Sequence, residues 1–296
     1  METATVESHA ATGAGSATIA DLLPAAVRKY GSNPAVMYRD EGGEWATQSF
    51  AEVGDRVRSL ALGLIDLGVQ KGDKVSILAN TRPEWTYHDF AALTAGATVV
   101  PIYQTNSPEE CQYVLENSDA KVVIVEDSEQ LDKIRQIRDR CPKLEHVILM
   151  TGSSDDTISA DELAARGASR EVSEWEERWS SVVPDDICTF IYTSGTTGPP
   201  KGCVISHGNY RAMLNMSLEQ SVLESGRITY LYLPLAHSFA LLIQLLSFDV
   251  GGVLAYWERD PLKILPNLAE VKPHYFPSVP RIFEKIYTAA TSKAES

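Results

Sequence analysis

Cysteine is scarce: Cys111, Cys141, Cys188 and Cys203 are the four in 296 residues. None forms a Cys-x-x-Cys pair and no histidine stands near one at metal-ligand spacing, which removes a zinc or dithiol motif from consideration. So few cysteines in a chain of this length argue against a disulfide framework and for a reducing, cytoplasmic setting with ordinary buried thiols. Positive charge is also short. Lys and Arg number 26 against 40 Asp and Glu, a formal net charge of -14. That sign excludes a general nucleic-acid binder, which needs clustered cations to displace counterions, and it disfavours simple electrostatic docking on anionic lipid. Long apolar runs are missing too. The most apolar stretch, 239–256, is interrupted by Gln244, Asp249, Gly251 and Gly252. It fails as a membrane span and leaves only peripheral membrane contact open. The first 18 residues, rich in Ala, Thr, Gly and Ser, lack the basic start and apolar run of a secretory signal. They read as a disordered tail over 1–18.

What remains is long enough for one large core or two smaller ones. Residues 19–30 place Ile19, Leu22, Leu23 and Val27 on one side of a helix. Residues 35–38 and 44–48 alternate like paired strands across Gly42-Gly43. Helical spacing of Phe50, Val53, Val57, Leu60 and Leu64 predicts a helix over 49–67, closed by Gly68. Short apolar strands at 74–78, 97–102, 121–125 and 146–150 then alternate with helices at 82–95, 108–116 and 128–140. Residues 151–184 are polar and acidic, carry helical patterns at 160–166 and 172–182, and read as a surface connection between two sheets. A second alternation begins at Asp186. Its strands are 187–192, 230–233, 252–257 and 274–277; its helices are 207–220, with Ser206 as N-cap, 237–246, 261–269 and a last one from Pro280. The class expected is α/β, with mostly parallel sheets flanked by helices: a first portion over 19–150, the connection over 151–184, and a second portion over 185–296.

Between the strand ending at Tyr192 and the helix starting at His207 lies Thr193-Ser194-Gly195-Thr196-Thr197-Gly198-Pro199-Pro200-Lys201-Gly202. The C-terminal end of a strand is where α/β sheets hold ligands. Gly195, Gly198 and Gly202 permit close backbone approach. Thr193, Ser194, Thr196 and Thr197 offer hydroxyl donors, Lys201 a mobile cation, and Pro199-Pro200 a stiff exit. These residue types suit a polyphosphate. The Walker A pattern is not met, because Lys201 stands between Pro200 and Gly202. Cys203 has no base beside it in sequence and reads as a small packed side chain.

The segment Ile191 to Gly202, followed by Ser206-His207-Gly208-Asn209, resembles the AMP-binding signature of the adenylate-forming superfamily. Three more segments are similar to the long-chain fatty acyl-CoA synthetases within it. They are Val100-Pro101-Ile102-Tyr103 with Ser107-Pro108-Glu109-Glu110, Tyr113 and Val114; Tyr232-Leu233-Pro234-Leu235-Ala236-His237; and Ser278 to Tyr287. The resemblance implies part of that family's large N-terminal domain over 19–296. It implies ATP, Mg²⁺ and coenzyme A as cofactors and co-substrates, a fatty acid as substrate, and a homodimer through N-terminal segments. The implied reaction has two steps: carboxylate attack on the ATP α-phosphate, then thiol displacement of AMP. Carried over residue by residue, it assigns ATP phosphate binding to Thr193, Ser194, Gly195, Thr196, Thr197, Gly198 and Lys201, Mg²⁺ contact to Thr193, and the acyl and adenylate pocket to His237. Leu241, Leu242 and Leu245 could line an acyl tunnel, although such a stripe is more often core. Arg281 and Lys285 read as solvated.

Beyond the helix that starts at Pro280, the chain departs from the family pattern. The family's Tyr-Gly-x-Thr-Glu segment, its ribose-binding Asp and its small C-terminal domain with a catalytic Lys are not found before Ser296. The expectation is an N-terminal portion inactive alone, since losing even one electrostatic stabiliser commonly costs about 10²–10³ in rate. Two readings stand beside it. One is a fatty acyl-AMP ligase or another adenylating enzyme. The other is a non-catalytic truncated paralogue that binds nucleotide or dimerises with a full-length partner.

Overall fold

The computed structural model describes residues 13–193 and 199–294. In chain order its strands are β1 (Pro34–Arg39), β2 (Trp45–Ser49), β3 (Lys74–Leu78), β4 (Thr98–Ile102), β5 (Ala120–Val125), β6 (His146–Leu149), β7 (Ile158–Ser159), β8 (Ile187–Thr193), β9 (Lys201–Ser206), β10 (Ile228–Leu231) and β11 (Val253–Tyr256). The helices are α1 (Leu22–Tyr30), α2 (Phe50–Asp66), α3 (Pro83–Thr94), α4 (Pro108–Ser118), α5 (Ser128–Arg135), α6 (Ala160–Ala168), α7 (Val172–Ser180), α8 (His207–Glu219), α9 (Ser238–Val250), α10 (Ile264–Val271) and α11 (Pro280–Ala294).

Helix starts are written locally. Ser49, Ser107, Ser159 and Ser206 each accept a hydrogen bond from the backbone three residues on, and the side chains of Glu52, Glu110, Glu162 and Asn209 accept in turn from the serine backbone N–H. These capping boxes satisfy donors that the first helical turn leaves free. Strands divide their side chains by the two-residue period. Val75, Ile77, Val99, Val122 and Ile124 enter the main core with Phe50, Leu60, Trp85, Phe90 and Phe248. Their neighbours Leu78, Val100, Ile102, Val123 and Val125 enter a second core on the opposite face, against Val114 and Leu115 of α4 and Leu131 and Ile134 of α5. A sheet buried on both faces needs such near-continuous apolar strands. In the main core, Phe248 of α9 packs edge-on to Phe50 of α2, ring centroids 5.4 Å apart, and beside Phe90 of α3 at 4.8 Å.

The described residues form two sheets. The larger has the order β7-β6-β5-β3-β4-β8-β9, and the smaller β10-β11-β1-β2. Pairing is parallel except at β8–β9 and β1–β2. The expected α/β class with mostly parallel sheets flanked by helices is what the structure has.

Several details differ from the sequence reading. Residues 151–184 do not link two sheets; they carry β7, α6 and α7 and lead from β6 back into β8 of the same sheet. The smaller sheet is interleaved, taking β1 and β2 from near the N-terminus and β10 and β11 from the C-terminal third. Residues 201–206, read as loop, form β9, because backbone pairing with β8 from Thr193↔Lys201 to Ile187↔Ser206 overrides a weak local pattern. Residues 274–277 make only a bridge, Tyr275 to Thr229, since Pro273 and Pro277 lack ladder donors. Cys203 is exposed on β9. Leu241 and Leu245 are plain core.

The expected tail over 1–18 is corrected for its second part; residues 1–12 lie outside the described residues. Ala14 N donates to Asp249 Oδ1 at 2.8 Å, Arg211 Nη1 donates to Ser16 Oγ at 2.8 Å, and Thr18 is buried. Ile19 N then donates to His207 Nδ1 at 3.2 Å. Burial lowers the His207 pKa to about 4, keeping the ring neutral and able to accept. No helix among the described residues is long and apolar enough to cross a membrane.

Candidate functional site

β8 brings the first expected site residue, Thr193, to its C-terminal end, the edge at which α/β sheets generally hold ligands. Thr98 Oγ1 donates to Ile187 O at 2.9 Å and Thr189 Oγ1 to Val99 O at 2.8 Å, so β8 is tied to β4 by side chains as well as backbone. At its C-terminal end Tyr192 is half-buried and Thr193 is exposed. The chain returns as β9, which starts with exposed Lys201 directly opposite Thr193. The hydroxyl-rich stretch thus joins two antiparallel strands, whereas the sequence had suggested a passage from strand to helix. Ser194, Gly195, Thr196, Thr197 and Gly198 lie outside the described residues.

His237 comes to the same place from the other sheet's connections. It is the N-cap of α9, exposed, and its Nδ1 accepts from Phe239 N at 3.2 Å. An accepting Nδ1 places the proton of the neutral ring on Nε2, which becomes the donor left for a ligand oxygen.

A cleft of about 320 Å³ joins these groups. Tyr192, Thr193 and Pro200 form its hairpin side and His237 and Ser238 its α9 side. Pro101 and Ile102 at the end of β4, Tyr103 and Asn106 after it, Glu110 and Val114 of α4 and Ile191 of β8 complete it. Thr193 and His237, 44 residues apart in the chain (237 minus 193), therefore share one site. Lys201 stands beside it on the hairpin and does not line it.

Tyr103, Asn106 and Glu110 were not picked as site residues from sequence. Their signal is position: they follow the C-terminal end of a parallel strand next to β8, where α/β sheets bind ligands. Their loop is held from within by Asn106 N donating to Tyr103 O at 3.0 Å, and from outside by Lys133 Nζ donating to Gln104 O at 2.6 Å. Burial, with the Tyr113 hydroxyl and Asp119 nearby, pushes the Tyr192 pKa up to about 12, so this phenol stays protonated and donates.

The cleft's oxygen donors are hard ligands of the kind Mg²⁺ prefers. No group of three or more His, Cys, Asp or Glu that could hold a metal occurs among the described residues. That is no obstacle to Mg²⁺, which keeps waters and is commonly held by one or two protein oxygens plus substrate phosphates.

The sequence model of the family described as AMP-binding enzyme matches residues 23–296. The chain belongs to this family. Its relatives include a long-chain-fatty-acid–CoA ligase, FadD15, of Mycobacterium bovis, 38% identical over 254 residues covering 85% of this chain. The long-chain-fatty-acid–CoA ligase ACSBG2 of Xenopus laevis is 34% identical and covers 91% of this chain. The chain spans 42% of the first of these relatives' length and 38% of the second's. Among solved structures, a long-chain-fatty-acid-CoA ligase from Archaeoglobus fulgidus superposes with a TM-score of 0.81 over 93% of this chain and 54% of its own. At 22% identity, that likeness establishes the fold alone.

Proposed function

We propose that this chain is the phosphate-binding portion of a long-chain-fatty-acid–CoA ligase, and that its cleft holds the triphosphate of ATP beside the fatty acid carboxylate. The observation that carries the reading is the convergence of Thr193, Pro200 and His237 on one cleft at the edge where the hydroxyl-rich segment leaves the sheet. The names of the relatives support the substrate class.

In this reading a carboxylate oxygen attacks the α-phosphorus and the bond to the bridging oxygen breaks. Pyrophosphate leaves with the electron pair, giving the acyl-adenylate. A coenzyme A thiolate then attacks the acyl carbon and releases AMP. Thr193 and the segment after it donate to phosphate oxygens, and Lys201 offsets their charge as pyrophosphate departs. His237 donates from Nε2 toward the reacting carboxylate or its adenylate. The apolar wall of Ile102, Val114 and Ile191 receives the first methylenes. At about 320 Å³ the cleft is at the low end for small-ligand sites, which suits a polyphosphate and a carboxyl end rather than a whole alkyl chain. Mg²⁺, when bound, would neutralise charge on the triphosphate, with the Thr193 hydroxyl as its protein contact.

Isothermal titration of the 296-residue chain with Mg²⁺-pyrophosphate and with Mg²⁺-ATP tests this reading. Binding is expected, and Lys201→Ala should weaken it by about tenfold, the scale of one charge-assisted hydrogen bond. Absence of binding to both ligands would sink the reading. The same 296 residues by themselves should show no acyl-CoA formation from ATP, palmitate and coenzyme A; robust turnover would overturn that part.

A further inference from the structure

α4 does more than wall the cleft. Glu110 and Val114 line it, and Tyr113 and Asn117 of the same helix reach the β8–β9 hairpin beside it. These four positions follow the three- and four-residue spacing that keeps side chains on one helical face. Tyr113 Oη donates to Pro200 O at 2.9 Å, on the strand side entering β9. Tyr192 Oη donates to Asn117 Oδ1 at 2.7 Å, at the end of β8. One helix therefore holds both stems of the hairpin through two hydrogen bonds. The two phenol rings also meet edge to face, centroids 6.3 Å apart at 88°. Gly202 completes the arrangement. A Cβ there would stand 3.2 Å from Tyr192 Cζ and 3.4 Å from its hydroxyl, so glycine lets the ring lie across β9.

We infer that Tyr113 and Asn117 are positioning residues for the hairpin side of the cleft, acting through Pro200 and Tyr192 on Thr193 beside them. This deepens the ligase reading and rests on it. β9 is the terminal strand of its sheet among the described residues, paired on one side only by β8. Backbone pairing leaves such a strand free to shift or fray. The α4 contacts add a restraint at Tyr192 and Pro200, next to Thr193 and Lys201. Holding Pro200 and Tyr192 fixes the hairpin side of the cleft, where Thr193 also lies, before a ligand arrives, so affinity for polyphosphate depends on the clamp.

The test uses the full chain with Tyr113→Phe, Asn117→Ala, Tyr192→Phe and the Asn117→Ala/Tyr192→Phe double variant. Tyr113→Phe keeps the ring and removes only the hydroxyl. Mg²⁺-pyrophosphate affinity is expected to fall about three- to tenfold in each single variant, the effect of one neutral hydrogen bond. The double variant should lose no more than its singles, because both remove the same bond. Amide exchange over residues 202–204 should quicken by a similar factor while the thermal midpoint stays within a degree or two of the parent. Asn117→Asp, which keeps the accepting oxygen, should restore the parent's exchange rate. If the parent binds pyrophosphate and Tyr113→Phe and Asn117→Ala bind it equally well, the positioning inference is overturned and the ligase reading stands. A parent that binds neither pyrophosphate nor ATP overturns both.

Discussion

Asp89 sits in α3 with its carboxyl buried. Gln244 Nε2 of α9 donates to it at 2.7 Å, and Gln244 Oε1 in turn accepts from Thr86 Oγ1 at 2.6 Å. Cys188 of β8, Tyr210 of α8 and Tyr256 of β11 also face it, and none supplies a positive charge. Burial therefore raises the Asp89 pKa from 3.8 to about 7, with the Gln244 bond opposing. The folded state keeps this proton to about pH 7, whereas the unfolded chain releases it near its ordinary value. Stability falls as pH rises across that window and stays reduced above it. Asp89→Asn removes the ionisation and keeps an accepting oxygen for Gln244. It should raise stability on the order of 2 kcal/mol at pH 8, with the gain shrinking toward pH 4. Urea unfolding at both pH values checks this; an equal gain at both would contradict it. At this scale sequence reading was uneven. Thr193 and His237 stand out in the sequence through the family resemblance, and the fold brings both to one cleft. Asn117 does not stand out, because its partner Tyr192 lies 75 residues away.

Among elements, α2 and α6 are the most intimate pair. A Cβ on Gly63 would lie 2.1 Å from Leu163 O, and one on Gly167 only 1.9 Å from Ser59 O. The two helices touch backbone to backbone, and no side chain can yield there. Gly167→Ala should therefore destabilise the fold by about 2–3 kcal/mol, despite alanine's better helix propensity. Chemical denaturation measures this, and a loss under about 0.5 kcal/mol would refute the contact. Sequence periodicity found α6 as a helix and took its segment for a surface connection. The glycines that press it onto α2 carry no periodic signal of their own. β9 shows the same limit, since Lys-Gly-Cys-Val-Ile-Ser is a strand only because β8 offers it a ladder.

Across the whole molecule, the buried pair Arg211–Asp249 joins α8 to α9 and gathers the chain before α1. Asp249 is fully buried, and Tyr30 Oη donates to its backbone carbonyl at 3.0 Å. Arg211→Ala would leave that carboxylate without its cation, a change that typically costs about 3–5 kcal/mol. We expect a markedly lower unfolding midpoint and faster proteolysis before Leu22; cleavage there at the parent's rate would count against the latch.

Local sequence determined the α/β alternation, the helix caps and the hydroxyl-rich segment before β9, because propensity, period and capping act between residues a few positions apart. It also determined the family, through ten consecutive residues from Thr193 to Gly202 whose chemistry suits phosphate. Tertiary structure decided the strand order, the return of β9, the docking of residues 13–18 and the α4 clamp on the hairpin. Each rests on groups brought together from far apart in the chain, as Ala14 and Asp249 are across 235 positions. Such partners are chosen by burial and by the need to satisfy buried polar groups, and neither can be read from near neighbours.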